Sequence, residues 1–106
     1  MALQLKQAER VLRRQLEPAL EAENLTFEHW QVLAALLAEP GQRMTELAHA
    51  ACLPAPTLTR HVDRLVERAL IIRRIDPNDR RSALVALSDH GVALSRRLLD
   101  VETSGY

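Results

Sequence analysis

Apolar residues recur along the first twenty positions at helical spacing: Leu5, Ala8, Val11, Leu12, Leu16, Ala19 and Leu20. Arg10, Arg13, Arg14 and Glu17 occupy the other side. A period of three to four residues makes one apolar stripe, so a first helix is predicted over about residues 2–22. Pro18 falls inside it and is expected to bend it. The stretch "NLTFEHWQVLAALLAEPG" predicts a second helix, with Thr26 as N-cap and Leu25 and Trp30 at the two positions of a hydrophobic staple. Pro40-Gly41 should end it near Glu39, and Phe27, Trp30, Leu33, Ala34 and Leu37 form its expected buried stripe. "MTELAHAACLP" predicts a short helix capped by Thr45, then a tight turn at Cys52-Leu53-Pro54. In "APTLTRHVDRLVERAL" the residues Leu58, Val62, Leu65 and Ala69 share one helical face. The opposite face presents Pro56, Thr57, Thr59, Arg60, Asp63 and Arg64, and a proline in the first turn forfeits no hydrogen bond.

After this helix the period changes. "LIIRRI" is rich in β-branched residues and predicts a strand, "DPND" has turn chemistry, and "ALVALS" predicts a second strand. Ser88 is placed to cap a last helix over about residues 89–102, with Val92, Leu94, Leu98, Leu99 and Val101 as its apolar content. A short helix, a tight turn and an amphipathic helix, followed directly by a hairpin, is winged helix-turn-helix order. The expected fold is mainly α with a small β-hairpin, in one domain of 106 residues.

Charge changes the picture more than composition does. The chain carries 14 Lys/Arg and 14 Asp/Glu, yet the neutrality hides a division. Residues 1–53 hold five basic against seven acidic side chains; residues 54–82 hold seven arginines against four acids; residues 83–106 hold two against three. The positive segment includes Arg73 and Arg74 before the Pro-Asn-Asp turn and Arg80 and Arg81 after it. Such a cluster is either a solvated surface, with Asp76 and Asp79 neutralising two arginines, or an electrostatic footprint for nucleic acid. Phe27, Trp30 and Tyr106 are the aromatic residues, so aliphatic side chains must build the core. Cys52 is the single cysteine, which excludes an internal disulfide, and it is expected to be a small buried apolar residue. No apolar run approaches membrane-spanning length and the N-terminus lacks a secretory apolar block, so a cytoplasmic location is expected. His29, His49, His61 and His90 show no metal-ligand spacing, and His61 is expected to be a half-buried packing residue. No nucleophile–base–acid set and no phosphate loop point to an enzyme, and no cofactor is implied.

Three stretches, "LTFEHWQVLAAL", "MTELAHAACLPAPTLTRHVDRLVERALIIRR" and "DPNDRRSALVALSDHG", resemble the MarR (multiple antibiotic resistance regulator) family of transcription factors. The most specific elements are Asp79 and Arg81, then Leu87, Ser88 and Gly91, together with "LTRHVDRL". Pro54 before the fourth helix and Ala69 after it depart from the small polar cap and the glycine common in the family. The resemblance implies a homodimeric, ligand-responsive repressor of the MarR type on a pseudo-palindromic double-stranded DNA operator. Its dimer contact would come from the helices near 2–22 and 89–102. By position, Pro56, Thr57, Thr59, Arg60 and Arg64 would face the major groove. Asp63 would pair with Arg81 to hold the wing, with Asp79 beside it. An effector crevice between the outer helices and the DNA-binding lobe would involve Phe27, Trp30 and Arg14. The physics of grooves fits this independently. Arginines on a hairpin suit the negative potential of a narrow minor groove, Arg73 and Arg74 at its base can meet phosphates, and Arg60 can read guanine. The alternative is a winged-helix protein–protein interaction module without DNA binding; steep salt dependence of DNA affinity separates the two.

Overall fold

The computed structural model describes residues 2–104, with the side chains of residues 2–6, 9, 12 and 104 excepted. Leu5 and Leu12 of the predicted first stripe, and Tyr106, therefore lie outside the described side chains. The elements are α1 (Ala2–Ala22), α2 (Phe27–Ala38), β1 (Gln42–Arg43), α3 (Met44–Ala51), α4 (Ala55–Glu67), β2 (Ile71–Asp76), β3 (Asp79–Leu87) and α5 (Asp89–Ser104). This is the expected order with one addition. A two-residue strand, β1, pairs antiparallel with β3 (Gln42 opposite Val85, Arg43 opposite Leu84), so the sheet has the order β1-β3-β2. No helix is long and apolar enough to cross a membrane among the described residues.

α2 is the hub, touching α1, α3, α4, α5 and β3. A helix surrounded on so many sides cannot be amphipathic. Val32 and Leu36 are buried alongside Trp30 and Leu33, while Phe27 and Ala34 pack at the edge and Leu37 is half-buried. The single predicted stripe was too narrow for this reason. Leu16 and Leu20 of α1, Leu58, Val62 and Leu65 of α4, and Leu94 and Leu98 of α5 complete the core around it. α1 continues through Pro18 to Ala22; the proline sits on the exposed side, where water can reach the carbonyl it leaves unpaired. α2 is finished by Gln42, whose buried side chain donates to the carbonyls of Ala35 (2.9 Å) and Glu39 (2.8 Å).

Three helices end on one device. After α1, α3 and α4 the chain takes a left-handed residue (Asn24, φ 58°; Cys52, φ 58°; Ala69, φ 60°) followed by a leucine (Leu25, Leu53, Leu70). The leucine N–H donates back to the carbonyl of Leu20, Ala48 and Leu65 respectively, and the left-handed residue's N–H to that of Glu21, His49 and Val66. These are Schellman closures, which satisfy carbonyls left over at a helix end. The role of Cys52 follows: it is exposed at such a closure rather than buried as expected. α3 also begins two residues earlier than expected. Arg43, not Thr45, is its N-cap, and the Glu46 carboxylate accepts from the Arg43 N–H at 2.9 Å.

Ala69 holds a conformation costing an L-residue roughly 1–2 kcal/mol, partly offset by the lower entropy of its unfolded chain relative to glycine. Ala69→Gly is therefore expected to stabilise the domain by about 0.5–1 kcal/mol. Urea denaturation at fixed protein concentration checks this; an unchanged or lower midpoint would refute it.

Candidate nucleic-acid interface

The candidate surface starts from the two faces of α4. Leu58, Val62 and Leu65 are buried, which turns Pro56, Thr59, Arg60, Asp63 and Arg64 outward, with Thr57 half-buried. The Thr59 hydroxyl donates back to the Ala55 carbonyl at 3.0 Å, leaving its oxygen lone pairs and methyl outward. Val62 and Leu65 seat the helix against the core, and Arg68 at its end donates to the carbonyls of Glu23 and Asn24 behind α1. Those contacts fix the rotation of α4 about its own axis.

The wing stands beside this face. β2 and β3 pair from Ile71–Leu87 through Arg73–Val85 and Arg74–Leu84 to Ile75–Ala83, then close again at Asp76–Asp79. Between the last two rungs β3 carries three residues, Arg80, Arg81 and Ser82, that oppose nothing on β2. This bulge is why β3 is longer than its apolar segment suggested, and it frees both wing-tip arginines from the ladder. Asp79 organises it: one carboxylate oxygen accepts from the Arg81 N–H (3.0 Å), the other from the Ser82 hydroxyl (3.3 Å). The side chains of Arg73, Arg74, Arg80 and Arg81 are all exposed.

The tie between helix and wing differs from the expected one. Asp63 of α4 is joined to the guanidinium of Arg73 on β2, and not to Arg81. Arg73 sits at the wing's base, directly opposite the core residue Val85, on the strand that packs against α4; Arg81 lies in the bulge, beyond the last regular rung at Ile75–Ala83. A second tie was not foreseen. Arg43 donates to the carboxylate of Asp76 at 2.8 Å, and the Asn78 N–H donates to the other oxygen at 2.9 Å. The Asn78 N–H and the Arg43 guanidinium hold the Asp76 carboxyl below the usual carboxylate range, and Asp76 in turn raises Arg43. The "DPND" stretch showed Asp76 as a turn former; nothing local in sequence showed its partner 33 residues away.

Behind α4 lies a small titratable cluster. His29 is buried at the third position of α2, where its Nδ1 accepts from the Thr26 N–H (3.0 Å) while the Thr26 hydroxyl accepts from the His29 N–H (3.2 Å). The His29 and His61 rings meet edge to face at 4.7 Å, and Glu28 lies 3.6 Å from His61 Nε2. Burial first, then His61, Arg68 and Arg64, push the His29 pKa down to about 4, against a smaller opposing effect of Glu28. His61 is half-buried in packing contact, as its position suggested. Among the described residues no group of three His, Cys, Asp or Glu could hold a metal ion.

Of the residues associated with an effector, Trp30 is packed in the core, Phe27 is half-buried beneath the Arg13 guanidinium (4.6 Å to the ring centre), and Arg14 is exposed. On the outer helices Val11 (51% exposed) and Leu99 (39% exposed) present apolar surface.

Comparison with known proteins accords with this geometry. Residues 25–83 match the model of the MarR family. The chain is 29% identical over 97 residues to the homoprotocatechuate degradative operon repressor of Escherichia coli, covering 92% of this chain and 66% of that protein. It is 35% identical over 91 residues to the HTH-type transcriptional regulator FarR of Neisseria gonorrhoeae, covering 85% and 62%. It thus spans a little under two thirds of the length of these curated relatives. Among solved structures, NadR in complex with 4-hydroxyphenylacetate superposes with a TM-score of 0.88 at 27% identity, over 96% of this chain and 72% of that one.

Proposed function

We propose that this chain, which belongs to the MarR family, binds double-stranded DNA sequence-specifically as a ligand-responsive transcriptional repressor. The observation that carries the reading is the Asp63–Arg73 ion pair, which joins the outward face of α4 to the base of the arginine-bearing wing. Helix and wing therefore present one continuous basic surface that can engage adjacent grooves. In it Pro56, Thr57, Thr59, Arg60 and Arg64 address the major groove and its phosphates. Arg74 meets the backbone, with Arg73 divided between phosphate and Asp63. Arg80 and Arg81 reach the minor groove from the bulge, which Asp79 shapes. The named relatives are repressors and regulators rather than enzymes, in keeping with this role.

The exposed apolar side chains of α1 and α5 support a homodimer formed by these helices, on a pseudo-palindromic operator with half-sites about one DNA turn apart. NadR was solved with 4-hydroxyphenylacetate, and that likeness supports a small aromatic acid as effector here. Phe27 and Arg13, with Arg14 nearby and Trp30 as the packed floor, are its candidate contacts.

Selection of bound sequences from random DNA, with particle mass measured in parallel, tests the reading. The expected result is a pseudo-palindromic site bound by a dimer, with affinity that falls steeply as salt rises. Arg60→Ala should lose about 1–3 kcal/mol of discrimination at one base position of each half-site while leaving the others intact. No enriched sequence, or an affinity indifferent to salt, would overturn DNA binding in favour of a protein-interaction module.

A further inference from the structure

The Arg43–Asp76 pair has a geometry that packing alone does not require. Arg43 lies on the edge strand β1, and its rung on β3 is Leu84, which in turn faces Arg74 on β2. Asp76 lies two residues beyond Arg74 toward the tip. The guanidinium therefore reaches diagonally from one edge of the sheet to the other, past β3, a span of roughly 10 Å in strand spacings. The backbone offers little else to hold this part of the hairpin. β1 ends at Arg43, the bulge removes three residues of β3 from the ladder, and a groove of about 340 Å3 lined by Arg43, Met44, Thr45, Ser82 and Ala83 opens between the start of α3 and β3. Asp76 is nonetheless 4% exposed and satisfied on both oxygens.

We propose that Arg43 and Asp76 are positioning residues for the wing: their cross-sheet pair fixes the tip to β1 and the start of α3, so that an acidic side chain on the hairpin promotes DNA binding. The inference rests on the DNA-binding reading above. It makes a prediction opposite in sign to simple electrostatics. Removing a carboxylate from a surface that meets phosphates should tighten binding through reduced repulsion. Loss of a positioning contact should weaken it, and should do so through the wing's share of recognition.

The test measures binding of the full chain to its selected operator, and to the same operator with the wing-facing A·T pairs changed to G·C, by fluorescence anisotropy at constant salt. Asp76→Asn is expected to weaken operator binding by about fivefold or more and to erase most of the preference for A·T at those positions. Preference within the base pairs facing α4 should persist. Should Asp76→Asn not fold, as judged by circular dichroism, Asp76→Ser keeps an acceptor for the Asn78 N–H and reads the same quantity. Arg43→Gln and the double variant complete a cycle: if both residues act through one pair, the double variant is no weaker than Arg43→Gln alone. Unchanged or tighter binding by Asp76→Asn, or fully additive losses in the cycle, would overturn the positioning role. Failure of the unmodified chain to bind any sequence would instead overturn the DNA-binding reading.

Discussion

Gly91→Ala is expected to destabilise the domain by about 3 kcal/mol or more, the upper end for forced overpacking. Gly91 lies in the first turn of α5, and a β-carbon there would stand 2.0 Å from the Leu70 carbonyl oxygen and 3.0 Å from its carbon. That oxygen cannot move aside cheaply. It accepts from the Ser88 N–H at 3.0 Å, and Leu70 is itself held by its N–H bond to Leu65 in the closure of α4. Ser88 tightens the same joint, donating its hydroxyl to the Ala69 carbonyl (2.6 Å) and accepting from the Gly91 N–H (3.0 Å). The joint therefore clamps α5 onto the point where α4 gives way to β2. Any displacement large enough to admit a methyl group would also disturb the angle between α4 and the wing. Urea denaturation of Gly91→Ala beside His90→Ala, an exposed neighbour, checks the effect. Equal midpoints for the two would show that α5 is not seated as described.

Acidification should produce the next largest effect. His29 is neutral in the fold, because its Nδ1 accepts a hydrogen bond and its surroundings are buried and positive. Its pKa falls from an ordinary 6.5 to about 4. Between these values the unfolded chain binds the proton and the folded one does not, so stability falls as pH falls. The contribution is fully present above about pH 6.5 and is lost by about pH 4. The shift corresponds to at most about 3 kcal/mol, reduced by salt because Arg64 and Arg68 are part of its cause. His29→Gln preserves an acceptor for the Thr26 N–H, as in the usual capping box, without a group that titrates in this range. Its stability should be nearly flat from pH 6.5 to 4 relative to the unmodified chain. Parallel pH profiles for the two proteins would contradict the assignment.

Helix order, the wing and most of the core were legible in the sequence because each rests on local rules. Thr26 caps α2, Ser88 caps α5, and the stripe of Leu58, Val62 and Leu65 orients α4. What escaped is what the chain decides at a distance. β1 has two residues, too few for any periodicity, and exists because β3 offers it a free edge. The start of α3 follows from that pairing and not from the polar residue nearest its apolar run. Asp63 takes Arg73 and not Arg81 because Arg73 lies on the strand that packs against α4, whereas the bulge that holds Arg81 is invisible in "DRRSA". His29 escaped because histidine is an unusual reciprocal partner in a capping box, and its burial depends on α4 lying across it. Of the candidate interface, the outward set on α4 could be read directly from helical spacing; the way the wing is held could not.

The three supernumerary residues of β3 have one more consequence. Five rungs, from Ile71–Leu87 to Ile75–Ala83, keep their partners whatever occupies positions 80–82. The hairpin's reach is thereby uncoupled from its foundation. A change of side chain at Arg80 leaves the seat beneath intact, because none of the five rungs involves that residue. The apex is thus the part of the hairpin whose shape is set by the Asp79 contacts, while the scaffold below it is set by the ladder.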